Sequence, residues 1–241
     1  MRLSDFRVLA FDCYGTLIDW ETGIVSALAP LTSRLARKLT RDEILEAHAR
    51  HESSQQVFTP TRPYRDVLAT VYKRLAEEWD VPAPWEECLA YGNSVGDWPP
   101  FPDTVEALAY LKRFYKLIIL SNVDNANFAR SNQRLGVVFD AIYTAEDIGS
   151  YKPAVRNFEY MLTKLEGRGV KKSEILHIAE SLFHDHATAN AVGLTSCWVH
   201  RRHDREGFGA TMNPGAMPRI DFRFTSLGEF ARAHAEDVAA G

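Results

Sequence analysis

Six short apolar runs punctuate the chain, at residues 7–11, 116–120, 141–144, 175–179, 195–200 and, more weakly, 222–224. Most are dense in Ile, Val and Leu without alternating polar positions, as strands buried on both faces should be. Between them, residues 103–115, 126–135, 156–165 and 186–192 place apolar side chains at helical spacing. Strands alternating with helices predict βαβ units and a parallel sheet covered on both sides. The expected class is α/β, a Rossmann-like doubly wound sheet.

One interval breaks the rhythm. More than a hundred residues separate the first run from the second, far beyond one crossover helix, and their pattern is helical only. Thr40-Arg41-Asp42-Glu43 is a capping box opening a helix over 41–55. Pro63 suits the first turn of a helix over 64–79, and prolines at 82, 84, 99, 100 and 102 punctuate the stretch beyond that helix. The spacing predicts an all-helical cap domain over 20–98, inserted into a core formed by 1–19 and 99–241. Residues 201–219 read as a surface loop, and the capping box Ser226-Leu227-Gly228-Glu229 opens a last helix.

Composition narrows the function classes. In 241 residues, 28 Lys and Arg face 32 Asp and Glu, a net charge of −4, which argues against a nucleic-acid binder. A hydrophobic content of 46% excludes a disordered chain. Cys13, Cys88 and Cys197 form neither a disulfide framework nor a zinc spacing, so a reducing compartment is expected. The first residues are charged where a signal peptide needs an apolar stretch, and no run reaches the ~20 residues of a membrane span. The expectation is a cytoplasmic protein without nucleic-acid or membrane partners. Apolar faces on the cap helices permit a homodimer.

Ligands of open parallel sheets gather beyond the carboxyl ends of the strands, and those exits are chemically rich here. The first run exits into Asp12-Cys13-Tyr14-Gly15-Thr16 and the second into Ser121-Asn122. Lys152-Pro153 follows the third, and Glu180-Ser181, with Asp185 five residues after Glu180, follows the fourth. A carboxylate with an ordinary pKa of ~3.9 is ionised at neutral pH. As a nucleophile it splits one hard displacement into two easier steps. Gly15 permits a tight turn beside a ligand. Thr16, Ser121 and Asn122 offer donors to Asp12 or to an anionic substrate, and Lys152 supplies charge that keeps Asp12 ionised. Each group also has an ordinary reading: a turn carboxylate, a strand-ending turn, a solvated lysine. His184, Asp185 and His186 look like a metal tract, but adjacent helical residues do not share a face.

Taken in order, the four clusters resemble the motif set of the haloacid dehalogenase superfamily of hydrolases. The helical insertion stands between the first two motifs, as in one cap class of that family. The resemblance implies that Asp12 is the nucleophile, with Thr16, Ser121, Asn122, Lys152, Glu180, Ser181 and Asp185 completing the catalytic set. Phosphatases of the superfamily carry a proton-donating Asp two residues after the nucleophile, where this chain has Tyr14. Asp-x-Tyr-Gly-Thr instead resembles the 2-haloacid dehalogenase branch, since a departing halide needs no proton. The implied reaction displaces halide from a small 2-haloalkanoic acid and then hydrolyses the aspartyl ester.

Tyr14, Trp20 and Tyr64 are candidate substrate-pocket residues, Trp20 and Tyr64 at its entrance, although the cap aromatics also read as cap core. The cap Trp-Arg pair of the dehalogenases, whose Arg receives the halide, is missing from 46–51, which leaves Arg50, His48 or Arg62 to meet the small anionic substrate. Phe158 stands where such relatives carry Tyr, and Glu180 where they carry a small hydroxyl residue. Three carboxyls, Asp12, Glu180 and Asp185, then face one Lys152. Such a cluster must protonate a member, bind a cation or recruit another base. Dehalogenation implies no obligatory cofactor. Mg2+ held by Asp12, the Tyr14 carbonyl and Asp185 is what the phosphatase alternative implies. A member that binds a ligand without turnover is the third reading.

Overall fold

The computed structural model describes residues 1–240. Its six strands are β1 Val8–Phe11, β2 Lys116–Ser121, β3 Ala141–Thr144, β4 Ile175–Ala179, β5 Thr195–Val199 and β6 Phe222–Phe224. They form one all-parallel sheet in the order β3-β2-β1-β4-β5-β6. Successive residues point to opposite sides, and both sides are covered. Leu9, Phe11, Leu117, Ile119, Leu176 and Ile178 enter one core, while Val8, Ala10, Ile118, Leu120 and Ile175 enter the other. This two-sided burial explains why the strand runs carry no polar alternation. Because the strands all run parallel, the β1, β2 and β4 exits share one rim, and the strand order reverses between β1 and β4, where ligands of such sheets bind.

Helices α1 Trp20–Ala27, α2 Ala29–Thr32, α3 Arg41–Phe58, α4 Tyr64–Glu78 and α5 Trp85–Asn93 all lie between β1 and β2. The chain leaves the sheet layer and returns to it side by side: Asp19 N donates to Pro99 O at 2.8 Å, and Phe101 N to Leu17 O at 3.0 Å. The Thr40–Glu43 capping box forms as expected, with Thr40 N donating to Glu43 Oε2 at 2.7 Å and Glu43 N to Thr40 Oγ1 at 3.2 Å. Val67, Leu68, Val71, Tyr72 and Leu75 recur at three- and four-residue spacing on α4 and are fully buried. At about 1.5–3 kcal/mol per buried large apolar side chain, this stripe packs α4 against α3 and α5 within the helical layer. Gly92 lets α5 approach the Arg65 carbonyl of α4 where no side chain would fit.

The remaining helices are α6 Thr104–Leu111, α7 Asn125–Leu135, α8 Ala145–Ile148, α9 Val155–Glu166, α10 Ala187–Ala191 and α11 Leu227–Ala239. Residues 201–219 differ from a plain surface loop, because Arg202, Ala210 and Thr211 are buried. Arg202 bonds Glu21 of α1 at 2.6 Å and Asp42 of α3 at 3.0 Å, which draws the segment under the helical layer. Among the described residues, no helix is long and apolar enough to cross a membrane.

Candidate active site

Asp12 follows the end of β1, and its backbone is held by Asp12 N donating to Ile178 O of β4 at 3.0 Å. The turn behind it needs Gly15, whose φ is +94° and whose Cα lies so close under the Trp20 indole that a Cβ would stand 2.9 Å from it. Thr16 Oγ1 donates to Asp12 Oδ2 at 2.8 Å and accepts from Glu180 N at 2.9 Å, tying the first strand exit to the fourth.

Lys152 is 1% exposed, so it is not a solvated lysine. Its three ammonium protons have three partners: Asp12 Oδ1 at 2.8 Å, Asp185 Oδ1 at 2.7 Å and Leu120 O at 3.0 Å. Asn122 clamps the Lys152 main chain in both directions, accepting from Lys152 N at 2.7 Å and donating to Lys152 O at 2.9 Å. Its amide therefore positions the lysine rather than binding Asp12. Ser121 Oγ is buried without a hydrogen-bond partner. Asp185 Oδ1 also receives His177 Nε2 of β4 at 2.9 Å, while Asp185 Oδ2 is buried and unpartnered.

Burial works against the Lys152 ammonium, but Asp12 and Asp185 outweigh it and hold its pKa above the ordinary value. For Asp185, burial is overcome by Lys152 and His177, which hold the carboxyl well below its usual range. For Asp12, burial prevails over Lys152 and, with the charge on Asp185, pushes the carboxyl up. Burial also raises the neighbouring Cys13 thiol, which excludes a thiolate beside Asp12.

Asp12, Ser121, Asn122, Lys152 and Asp185 line a small, partly open cavity with Tyr14, Trp20, Glu52, Tyr64, Ser181 and His184. Its free room is about 20 Å³, enough for roughly one water molecule. The Tyr14 hydroxyl is engaged with Ser131 Oγ at 2.8 Å. His184 reaches the cavity beside Asp185 because Leu182–His186 forms a π-helical turn, where the expected spacing of side chains no longer holds.

Three sequence expectations are corrected. Arg50 sits on the outward face of α3 and forms a fork with Glu78 at 2.9 and 3.0 Å; the inward face of that helix is set by His48, Glu52 and Gln55. Arg62 is exposed in the α3–α4 connection, and neither arginine lines the cavity. The Glu180 side chain lines a separate cavity of about 130 Å³ with Arg41, Arg201 and Arg202, on the other side of the Trp20 and Gly15 wall. Burial, with Glu21 and Asp12 nearby, pushes Glu180 up to about 8. The expected surplus of three carboxyls on one lysine is thereby relieved: the third is elsewhere and holds its proton at neutral pH.

The sequence matches the haloacid dehalogenase-like hydrolases over residues 6–193. The chain belongs to this family of hydrolases. Its fold is similar to the L-2-haloacid dehalogenase PA0810, with a TM-score of 0.77 at 20% identity over 98% of this chain and 100% of the other. The L-2-haloacid dehalogenase from Xanthobacter autotrophicus gives a TM-score of 0.77 at 18% identity, covering 96% and 99%. YfnB from Bacillus subtilis, in a structure bound to magnesium, gives 0.73 at 19% identity, covering 98% and 100%. No curated protein sequence matches the chain.

Magnesium is an ion that haloacid dehalogenase-like hydrolases often use. It takes oxygen ligands and keeps several waters. The unpartnered Asp185 Oδ2 offers one such oxygen, and with Asp12 and the Tyr14 carbonyl the donor chemistry suits that ion.

Sequence reasoning passes over Glu52 and His177, and sets His184 aside with a metal tract whose residues should not share a face. The first two carried a legible signal. Glu52 follows His48 by one turn on the face of α3 that must be buried, and His177 interrupts the apolar run Ile-Leu-His-Ile-Ala. Phe158, at the position where a Tyr was expected, is fully buried with its ring edge-on to His177 at 5.1 Å.

Proposed function

We propose that this hydrolase cleaves the carbon–halogen bond of a small 2-haloalkanoic acid through an ester on Asp12. The observation that carries the reading is the fixing of Asp12 between Thr16 and Lys152 on the wall of a small cavity. Asp12 attacks the α-carbon and the halide leaves with the bonding pair. Ser121 Oγ, a buried hydroxyl without a partner on the cavity wall, donates to the substrate carboxylate. Lys152 supplies the nearby positive charge. Water oriented by Asp185 Oδ2 then attacks the ester carbonyl, one of its protons passes to the departing alkoxide to give the 2-hydroxy acid, and the other is released to solvent as Asp12 returns to its ionised form. Tyr14 is consistent with a halide leaving group, because no carboxylic acid stands two residues after the nucleophile.

A second reading, a Mg2+-dependent phosphatase, is favoured by the unpartnered Asp185 Oδ2. In it, Asp12, the Tyr14 carbonyl and Asp185 would hold the ion, which would neutralise charge on a phosphoryl group. Halide release from 2-halopropionates without added metal, against phosphate release from a phosphomonoester panel with Mg2+, separates the two. Halide release supports the first reading, and phosphate release alone overturns it.

A further inference from the structure

Glu52 is a carboxyl on the cavity wall for which neither the motif set nor the proposed reaction has a use. It reaches the cavity from α3 in the helical layer, whereas Asp12 reaches it from the end of β1. Displacement at carbon puts the nucleophile and the departing atom on opposite sides of the reacting centre. A halide displaced by Asp12 from the sheet side therefore moves towards the helical layer, whose cavity residues are Trp20, Glu52 and Tyr64.

The hydrogen bonds around Glu52 fall on one oxygen. Tyr64 OH donates to Oε1 at 2.7 Å and Gln56 Nε2 donates to the same atom at 3.0 Å. Oε2 has only His48 Nδ1 at 3.6 Å, too far for a hydrogen bond. A proton carried by this carboxyl therefore rests on Oε2, while Oε1 stays the acceptor. We infer that Glu52 is a catalytic residue whose Oε2–H donates a hydrogen bond to the departing halide, in the place where an arginine was sought, and that this favours fluoride as a leaving group. The inference rests on the reading of Asp12 as a nucleophile at carbon.

The surroundings keep the proton in place. His48 and His51 on the same helix, Tyr64 on α4, Tyr91 on α5 and Tyr151 from the core surround Glu52, with Asp12, Lys152, His184 and Asp185 across the cavity. Burial pushes His48 down to about 3, so it is neutral, and His51 is engaged by Glu78. Among the described residues, no guanidinium lines the cavity. Burial therefore raises Glu52 to about 7, against the opposing bond from Tyr64. In the step itself, the Asp12 oxygen bonds the α-carbon as the carbon–fluorine bond breaks, the electron pair leaves with fluoride, and the proton stays on Glu52. Fluoride gains most, since it is the halide that accepts hydrogen bonds most strongly.

The test compares fluoride and bromide release from the 2-fluoro and 2-bromo forms of one acid between pH 5 and 9. It uses the wild-type protein, Glu52→Gln and Glu52→Leu. Glu52→Leu is expected to lose fluoride release by at least about 100-fold, the scale of removing one preorganised donor, and bromide release by less than about tenfold. Wild-type fluoride release should fall as pH rises through about 7. In Glu52→Gln the amide oxygen keeps the bonds from Tyr64 and Gln56, and the amide NH2 donates in place of Oε2–H. That variant should keep fluoride release and lose the alkaline fall. Equal losses for both halides in Glu52→Leu, or an unchanged alkaline fall in Glu52→Gln, overturn the inference while wild-type bromide release leaves the dehalogenase reading standing. Release of neither halide by the wild-type protein overturns both.

Discussion

Lys152 Nζ lies 2.8 Å from Asp12 Oδ1, joining two residues 140 positions apart. The same ammonium binds Asp185 Oδ1 at 2.7 Å, so one buried cation holds two buried carboxylates. Removing it leaves both uncompensated. Lys152→Met is predicted to destabilise the fold by about 3–5 kcal/mol at neutral pH, with a smaller loss at pH 4, where the carboxyls can take up protons. Urea unfolding at the two pH values measures the difference, and an equal loss at both would contradict the assignment.

Asp12 must be ionised to attack, and burial holds its pKa above the ordinary carboxylate range. Halide release should therefore rise with pH along an acid limb lying above ~3.9. Lowering the charge on the neighbour moves that limb. Asp185→Asn removes the repulsion on Asp12 and leaves Lys152 to it alone, so the limb shifts to lower pH even as the maximum rate falls. A pH–rate profile of kcat/KM for both proteins tests this.

His177 donates to the oxygen of Asp185 that Lys152 also holds. Hydrogen bonds to charged groups contribute about 1.5–3 kcal/mol, and His177→Leu should cost a comparable amount. Asp185 has a depressed folded pKa, so its contribution is present above the usual carboxylate range and is lost as pH falls below it. The deficit of His177→Leu should accordingly be full at pH 7 and shrink towards pH 2. A deficit independent of pH would show that His177 matters only as packing.

Glu52 has the opposite sign. Its folded pKa of about 7 exceeds the ordinary 4.5, so its contribution to stability is full below 4.5 and lost as pH rises through about 7. Glu52→Gln keeps the acceptor oxygen and cannot ionise. It should unfold like wild type at pH 4 and be more stable at pH 8, by an amount on the order of 3 kcal/mol. Thermal melts at the two values decide the matter.

Much of this arrangement is legible in the amino-acid sequence. The strand runs were visible because burial on both faces removes polar alternation, and the helical insertion because its capping box and prolines leave no strand signal. Asp12, Ser121, Lys152 and Asp185 were found because strand exits in a parallel sheet share one rim. What stayed hidden depends on side-chain direction. Arg50 and Glu52 are two residues apart on α3, and only the rotation of the helix against its neighbours sends one to Glu78 and the other into the cavity. Glu180 follows the same strand whose exit leads to Asp185, yet its side chain turns behind the Trp20 wall. His184 joins the cavity through a π-helical turn that no periodicity announces.

The central claim is that Asp12 bonds covalently to the substrate and is freed by water. Asp12→Asn should reduce turnover by at least about a thousandfold with the fold intact, but the isotopic experiment is more direct. After a single turnover with excess enzyme in heavy-oxygen water, peptide mass spectrometry should find one heavy oxygen in the peptide containing Asp12 and none in the 2-hydroxy acid product. Label in the product and not in Asp12 would mean that water attacks the substrate itself, and the account would be wrong.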